Sequence, residues 1–216
     1  MPLKVKTSIV SFEGLTCPFR AGVFGSTRTG KTTLIYNILK NGLISGKINT
    51  VYYSYPNQYS DEPLDWHGNL DYDIEYLDYL PDENTIQSFE KDSLLIIDDF
   101  WNDACKSDVI RNIFTSLSGK RNLSIFITSQ NPYEGAVNAR TIRNNINYFF
   151  LFKNLGDHQI NRRLSAQLGF LPQYKKALRR VNNDNRAFVM LNLDVMLEFE
   201  QLRVMTNIFD KPIVYT

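Results

Sequence analysis

The chain has 216 residues, 43% of them apolar and 22% charged, with a formal net charge of +1. That is the size of one α/β domain with a full core and the ordinary composition of a soluble globular protein. Its two cysteines, Cys17 and Cys105, are far apart and match neither a zinc site nor a disulfide framework.

In chain order, Val5 to Phe12 predicts a first strand closed by Glu13-Gly14, and Pro18 leads into a short apolar strand over Ala21, Val23 and Phe24. Gly25-Ser26-Thr27-Arg28-Thr29-Gly30-Lys31-Thr32-Thr33 follows, and Leu34, Ile35, Ile38 and Leu39 then share one helical face up to a stop at Asn41-Gly42. Strand, G-x-x-x-x-G-K-[ST] and helix in that order form a phosphate-binding loop. Its glycines let successive N–H groups turn inward, the helix dipole adds positive potential, Lys31 reaches the β- and γ-phosphates, and Thr32 ligates Mg²⁺. These residues predict a site for a nucleoside triphosphate.

Asn49 to Tyr55 predicts a second strand. Residues 57 to 92 form an acidic insert, expected to hold loops and one or two short helices, with a weak helical stretch at Thr85 to Phe89. Ser93 to Ile97 is apolar on both faces, as a central parallel strand must be, and ends in Asp98-Asp99. Asn102 to Gly119 carries Val109, Ile110, Ile113, Phe114 and Leu117 at helical spacing, and Leu123 to Ser129 is a strand ending at Gln130. A loop is expected as far as Asn145, then a strand from Tyr148 to Phe152.

Asp157 is expected to cap a helix bearing Ile160, Leu164 and Leu168. Pro172 opens another, with Tyr174, Ala177, Leu178 and Val181 inward and Lys175, Lys176, Arg179 and Arg180 outward. Ala187 to Asp194 and Leu202 to Ile208 predict two more strands, joined by a turn or short helix. The whole reads as a single domain over residues 1 to 216, α/β in class, with a mainly parallel sheet flanked by helices. Residues 171 to 216 supply its C-terminal helix and strands. No apolar run is long enough to cross a bilayer and no secretion signal is evident.

The chemistry follows from the strand ends. Asp98 stands where a P-loop NTPase holds Mg²⁺, and Asp99 beside it suits a base acting on a lytic water. Gln130 ends the next strand; if that strand lies between the P-loop strand and the Asp98 strand, its amide faces the γ-phosphate, an arrangement that separates additional-strand (ASCE, RecA-like) NTPases from simple kinases and GTPases. Arg121, just before that strand, is a candidate finger for a neighbouring subunit's site, with Arg140 and Arg143 as rivals. The charge is uneven: acidic from Asp61 to Asp92, mostly basic from Lys106 to Arg186. Such a split suits a polar ring interface or a surface facing a polyanion.

Pro18-Phe19-Arg20 before the P-loop, Asp98-Asp99, Lys120-Arg121-Asn122-Leu123-Ser124 through Gln130-Asn131, Arg140-Thr141-Ile142-Arg143-Asn144-Asn145, and Phe152-Lys153-Asn154 with Asp157 carry a resemblance. Over roughly residues 15 to 170 the chain resembles the viral genome-packaging ATPases of the FtsK–HerA superfamily, in the branch of poxviruses, virophages, adinto-like and Polinton-type viruses. The resemblance implies an ATP-hydrolysing, Mg²⁺-dependent homo-oligomeric ring that threads double-stranded DNA into a preformed capsid. Its setting would be an assembly site in the host nucleus or cytoplasm, its protein partner a capsid or portal component, and no membrane is involved. It assigns phosphate binding to Lys31 and Thr32, the metal to Thr32 and Asp98, the base to Asp99 and the sensor to Gln130. Many members carry Glu where this chain has Asp99. Candidate contacts to DNA phosphates are Lys106, Arg140, Arg143, Lys175, Lys176, Arg179 and Arg180. A nucleoside or nucleotide kinase and a nucleotide-gated interaction module are the competing readings.

Overall fold

A computed structural model describes residues 5–56, 66, 68–153, 159–181, 186–194 and 203–216. The expected Asp157 cap, the start of the acidic insert and the link between the last two expected strands lie outside these residues.

The N-terminal part runs through β1 (Thr7–Ile9), β2 (Leu15–Thr16), β3 (Arg20–Phe24), α1 (Lys31–Lys40), β4 (Ile44–Ser45), β5 (Thr50–Ser54), β6 (Asp73–Leu77) and α2 (Glu83–Ser88). The middle holds β7 (Ser93–Ile97), α3 (Trp101–Ala104), α4 (Asp108–Asn112), a π-helical turn (Ile113–Leu117), α5 (Ser118–Arg121), β8 (Leu123–Ser129), α6 (Ala139–Asn144) and β9 (Tyr148–Phe152). After these come α7 (Gln159–Gln167), α8 (Leu171–Val181), β10 (Phe188–Asn192), β11 (Val204–Thr206) and β12 (Ile213–Tyr215).

The large sheet has the order β1-β12-β11-β10-β9-β3-β8-β7-β5-β6. From β9 to β6 all neighbours are parallel, and β10, β11, β12 and β1 extend the sheet antiparallel. β8 lies between β3 and β7, the insertion on which the Gln130 reading depends.

The central strands are apolar on both sides because helices cover both faces. Leu95 and Ile97 join Ile125, Ile127, Phe149 and Leu151 in one core, with Ile110, Ile113 and Tyr174 packed there. Leu94 and Ile96 join Phe126 and Phe150 in the other, against Leu34, Ile35 and Ile38 of α1.

The structure corrects four expectations. The stretch from Asn102 to Gly119 is not one helix. The Ser107 hydroxyl accepts the Ile110 N–H at 3.2 Å and restarts the helix at α4. The π turn follows, and the stop is Asn122 in left-handed conformation (φ 52°), with Gly119 inside α5. Hydrophobic spacing survives such breaks, so periodicity alone conceals them.

The acidic insert contributes β6, a parallel edge strand on β5 with Ile74 buried and Asp73 and Glu75 exposed. Its outward carboxylates deter pairing with another chain's edge. The segment expected as a loop up to Asn145 contains α6, and β12 adds a strand that the reading omitted.

Candidate nucleotide site

The P-loop takes its shape from two glycines, one where a side chain would be strained and one where it would be crowded. Gly30 has φ 97°, in the left-handed region. A Cβ on Gly25 would lie 2.6 Å from Phe152 Cβ. α1 then begins at Lys31 with no side chain capping its first turn, leaving its N–H donors directed at the loop. Lys31 is buried, and its ammonium donates to the carbonyls of Gly25 at 3.1 Å and Ser26 at 3.2 Å. Burial draws its pKa below the usual lysine value, opposed by Asp99 and Asp98.

Asp98 is buried at the tip of β7 and is held by three hydroxyl donors. Thr32 Oγ1 and Tyr53 OH donate to Oδ2 at 2.9 and 2.6 Å, and Thr128 Oγ1 donates to Oδ1 at 2.5 Å. Register brings them together: Ser54 pairs with Ile97, and Ile97 with Ile127, so one strand-end row holds groups from β5, β7 and β8. Tyr53→Phe removes one donor to a buried carboxylate at constant shape. Urea unfolding should show a loss of about 1.5–3 kcal/mol, as expected for a hydrogen bond to a charged group.

Asp99 turns away from the strand with φ 56°, its N–H donating to Thr128 Oγ1 at 3.0 Å. The residue is exposed to solvent. The protein packed around its carboxyl and the charge of Asp98 nonetheless raise its pKa above the usual carboxylate range, with Lys31 opposing. Gln130 extends from β8 across to the loop and donates from Nε2 to Thr27 Oγ1 at 3.1 Å.

Thr27, Arg28, Lys31, Thr32, Asp98 and Asp99 line one cavity of about 300 Å³, with Arg186 at its side. Arg186 also lines a second cavity of about 570 Å³ beyond Gly30 and Thr33, walled by Phe152, Phe188 and Phe209. Among the described residues no three His, Cys, Asp or Glu side chains group as a metal cage. One carboxylate beside one hydroxyl is instead the donor set of Mg²⁺ sites that draw their other ligands from phosphates and water, and Thr32 with Asp98 fits it.

The remaining predicted residues lie elsewhere. Arg121 donates to the carbonyls of Gln87 at 2.9 Å and Phe89 at 2.7 Å, fastening α5 to the end of α2 on its own chain. Lys106 pairs with Asp103, and Lys176 donates to the Val5 carbonyl. Lys175 and Arg179 are exposed on α8, whereas Arg180 lines the larger cavity. Arg140 and Arg143 sit on α6. Sequence reading missed Tyr53, Thr128, Arg186 and the phenylalanine walls. Tyr53 and Thr128 become recognisable only once strand order is known; Arg186 and Phe209 carry no local signal.

Solved structures that match this architecture include two of one protein. Both are of the genome packaging NTPase B204 from Sulfolobus turreted icosahedral virus 2, one in complex with ATP-gammaS and one with sulfate. The first has a TM-score of 0.51 at 13% identity, covering 82% of this chain and 92% of that one. The second has 0.52 at 15% identity, with the same shares of 82% and 92%. The fold is that of a P-loop NTPase. It is a mostly parallel α/β sheet flanked by helices, as the sequence predicted. No protein-family profile matches the chain, and no curated protein matches it in sequence. Among the described residues, no helix of this P-loop NTPase fold is long and apolar enough to cross a membrane.

Proposed function

We propose that this chain hydrolyses ATP and uses the energy to translocate double-stranded DNA, as a ring of identical subunits that loads a viral genome into a capsid. The observation that carries the hydrolytic part is Gln130 reaching the P-loop from a strand inserted between β3 and β7, opposite the Asp98–Asp99 pair. The motor and packaging parts draw support from the sequence resemblance and from likeness in fold to a packaging NTPase.

In the proposed reaction, loop N–H groups and the Lys31 ammonium neutralise the triphosphate. Asp99 accepts a proton from water as its oxygen bonds to the γ-phosphorus; the β–γ bridging bond breaks, and ADP and phosphate leave. Gln130 orients that water. Thr32 and Asp98 would hold Mg²⁺, which supplies charge neutralisation to the phosphates when bound. Arg186 offers a cation from this chain between the two cavities, and Arg121 remains the proposed finger for a neighbour's site.

The aromatic cavity is the proposed seat of the base. Phe209 stands 6.2 Å, ring centre to ring centre, from Phe188 at its wall. Phe209→Ala should weaken ATP binding, measured calorimetrically, by about 1–3 kcal/mol, the range for loss of an aromatic platform under a base.

The deciding experiment measures ATP turnover with and without duplex DNA, alongside the assembly state with a non-hydrolysable nucleotide. Duplex-stimulated hydrolysis by a ring supports the motor. Phosphate transfer to a nucleoside instead of water would make the chain a kinase, and tight nucleotide binding without turnover a switch.

A further inference from the structure

Tyr133, three residues after Gln130, is the centre of an arginine cluster. The guanidinium carbons of Arg143 and Arg163 lie 4.5 and 4.4 Å from the centre of its ring. Its hydroxyl donates to Gln167 Oε1 at 2.7 Å, so the ring bridges α6 and α7. Between those helices runs a groove of about 340 Å³, with Arg140, Arg143 and Gln167 along it and Phe149 and Leu164 beneath.

Three positive charges converge here against their mutual repulsion. Burial, Arg163 and Arg140 all draw the Arg143 pKa down, with Tyr133 and Cys105 opposing. The ion pairs among the described residues, Lys106–Asp103 and Arg111–Asp108, involve none of the three arginines. The nearby Glu134 carboxylate accepts from the Asn131 amide at 3.0 Å. A like-charged group of this kind is matched by a polyanion whose charges are spaced along a chain.

The turn from Ser129 to Glu134 joins this cluster to the nucleotide site. Asn131 N–H donates to Ser129 Oγ at 3.1 Å, and Asn131 Oδ1 accepts the Tyr133 N–H at 2.9 Å. Arg143 also donates to the Pro132 carbonyl at 2.9 Å. With Gln130 tied to Thr27, one short run of chain links the P-loop to Tyr133 and its arginines.

We propose that Arg143 and Arg163, gathered on Tyr133, together with Arg140 beside them along the groove, grip the phosphodiester backbone of duplex DNA, and that the turn Ser129–Glu134 makes the grip depend on the bound nucleotide. The inference rests on the translocase reading and adds to it a place and a coupling route. Contacts of this kind hold phosphates and are blind to sequence.

The test is fluorescence anisotropy of a labelled random-sequence duplex titrated with the full chain across a range of salt. Arg140→Gln with Arg163→Gln changes two exposed side chains. It should cost about tenfold or more in affinity and flatten the log–log salt slope by about two, one per lost phosphate contact. Arg163→Glu should weaken binding further than Arg163→Gln. A nucleotide-induced rise in melting temperature checks that each variant is folded.

For coupling, the wild-type affinity should differ several-fold between ADP and a non-hydrolysable ATP analogue, and Tyr133→Leu should abolish that difference. Wild-type protein that binds duplex while the double variant keeps the same affinity and slope would remove the grip and leave the motor reading intact. Wild-type protein that hydrolyses ATP but binds no duplex removes both. Equal affinity in the two nucleotide states removes the coupling alone.

Discussion

Lys31→Ala is expected to lower kcat/KM for ATP by about a thousandfold or more, corresponding to ~4 kcal/mol of lost transition-state stabilisation. The ammonium is the buried cation of the loop, held against the Gly25 and Ser26 carbonyls, and among the described residues no other lysine lines the phosphate cavity. Its removal relieves the desolvation of the ammonium but gives up its hydrogen bonds to the two carbonyls. Burial lowers the Lys31 pKa, so the folded chain disfavours the charged form; that cost is present at neutral pH and fades as pH rises through the lowered pKa toward 10.5. Without nucleotide, the variant should melt close to the wild type, and ATP should no longer raise its melting temperature. Turnover within a few-fold of wild type would sink the assignment.

Asp99→Asn should leave ATP binding nearly unchanged and reduce the hydrolytic rate by about 10²- to 10⁴-fold, the range for loss of a general base. Because burial and Asp98 raise the Asp99 pKa, the wild-type rate should fall as pH drops through a value above the 3.8 of an ordinary aspartate. The same shift sets the stability change. The ionised carboxylate is disfavoured in the native state above the unfolded pKa, so the Asn variant should be at least as stable at neutral pH. Any advantage should vanish as pH falls through the raised value. Rapid-quench hydrolysis and pH-dependent melting check the two limbs separately. A variant that binds poorly but turns over normally once saturated would move Asp99 out of the chemistry.

Much of this arrangement was readable along the chain because its causes are local. The residues Gly25 to Thr33 form a tight turn and a helix start whatever surrounds them, and an unbroken apolar run such as Ser93 to Ile97 belongs in a sheet covered on both sides. β9 appears as expected, Tyr148 to Phe152, and β8 fills Leu123 to Ser129. Expectation failed where a weak local pattern was settled by a distant partner. Ile74 and Tyr76 alternate among carboxylates, and only pairing with β5 makes that stretch a strand. Nor does any local pattern reveal that Arg121 meets the carbonyls at the end of α2, a helix more than thirty positions earlier.

By itself, then, the sequence determined that this protein has a phosphate loop, a strand-tip acid pair and a mainly parallel sheet, because glycine conformations, residue type and hydrophobic runs act over a few positions. Tertiary structure alone decided that Tyr53 and Thr128 join Thr32 on Asp98, that Arg186 and Phe209 border the nucleotide cavities, and that two arginines from separate helices meet on Tyr133. The physical reason is strand order. Inserting β8 between β3 and β7 sets strand ends side by side, and hydrogen bonds reaching about 3 Å then form between groups that no local pattern connects.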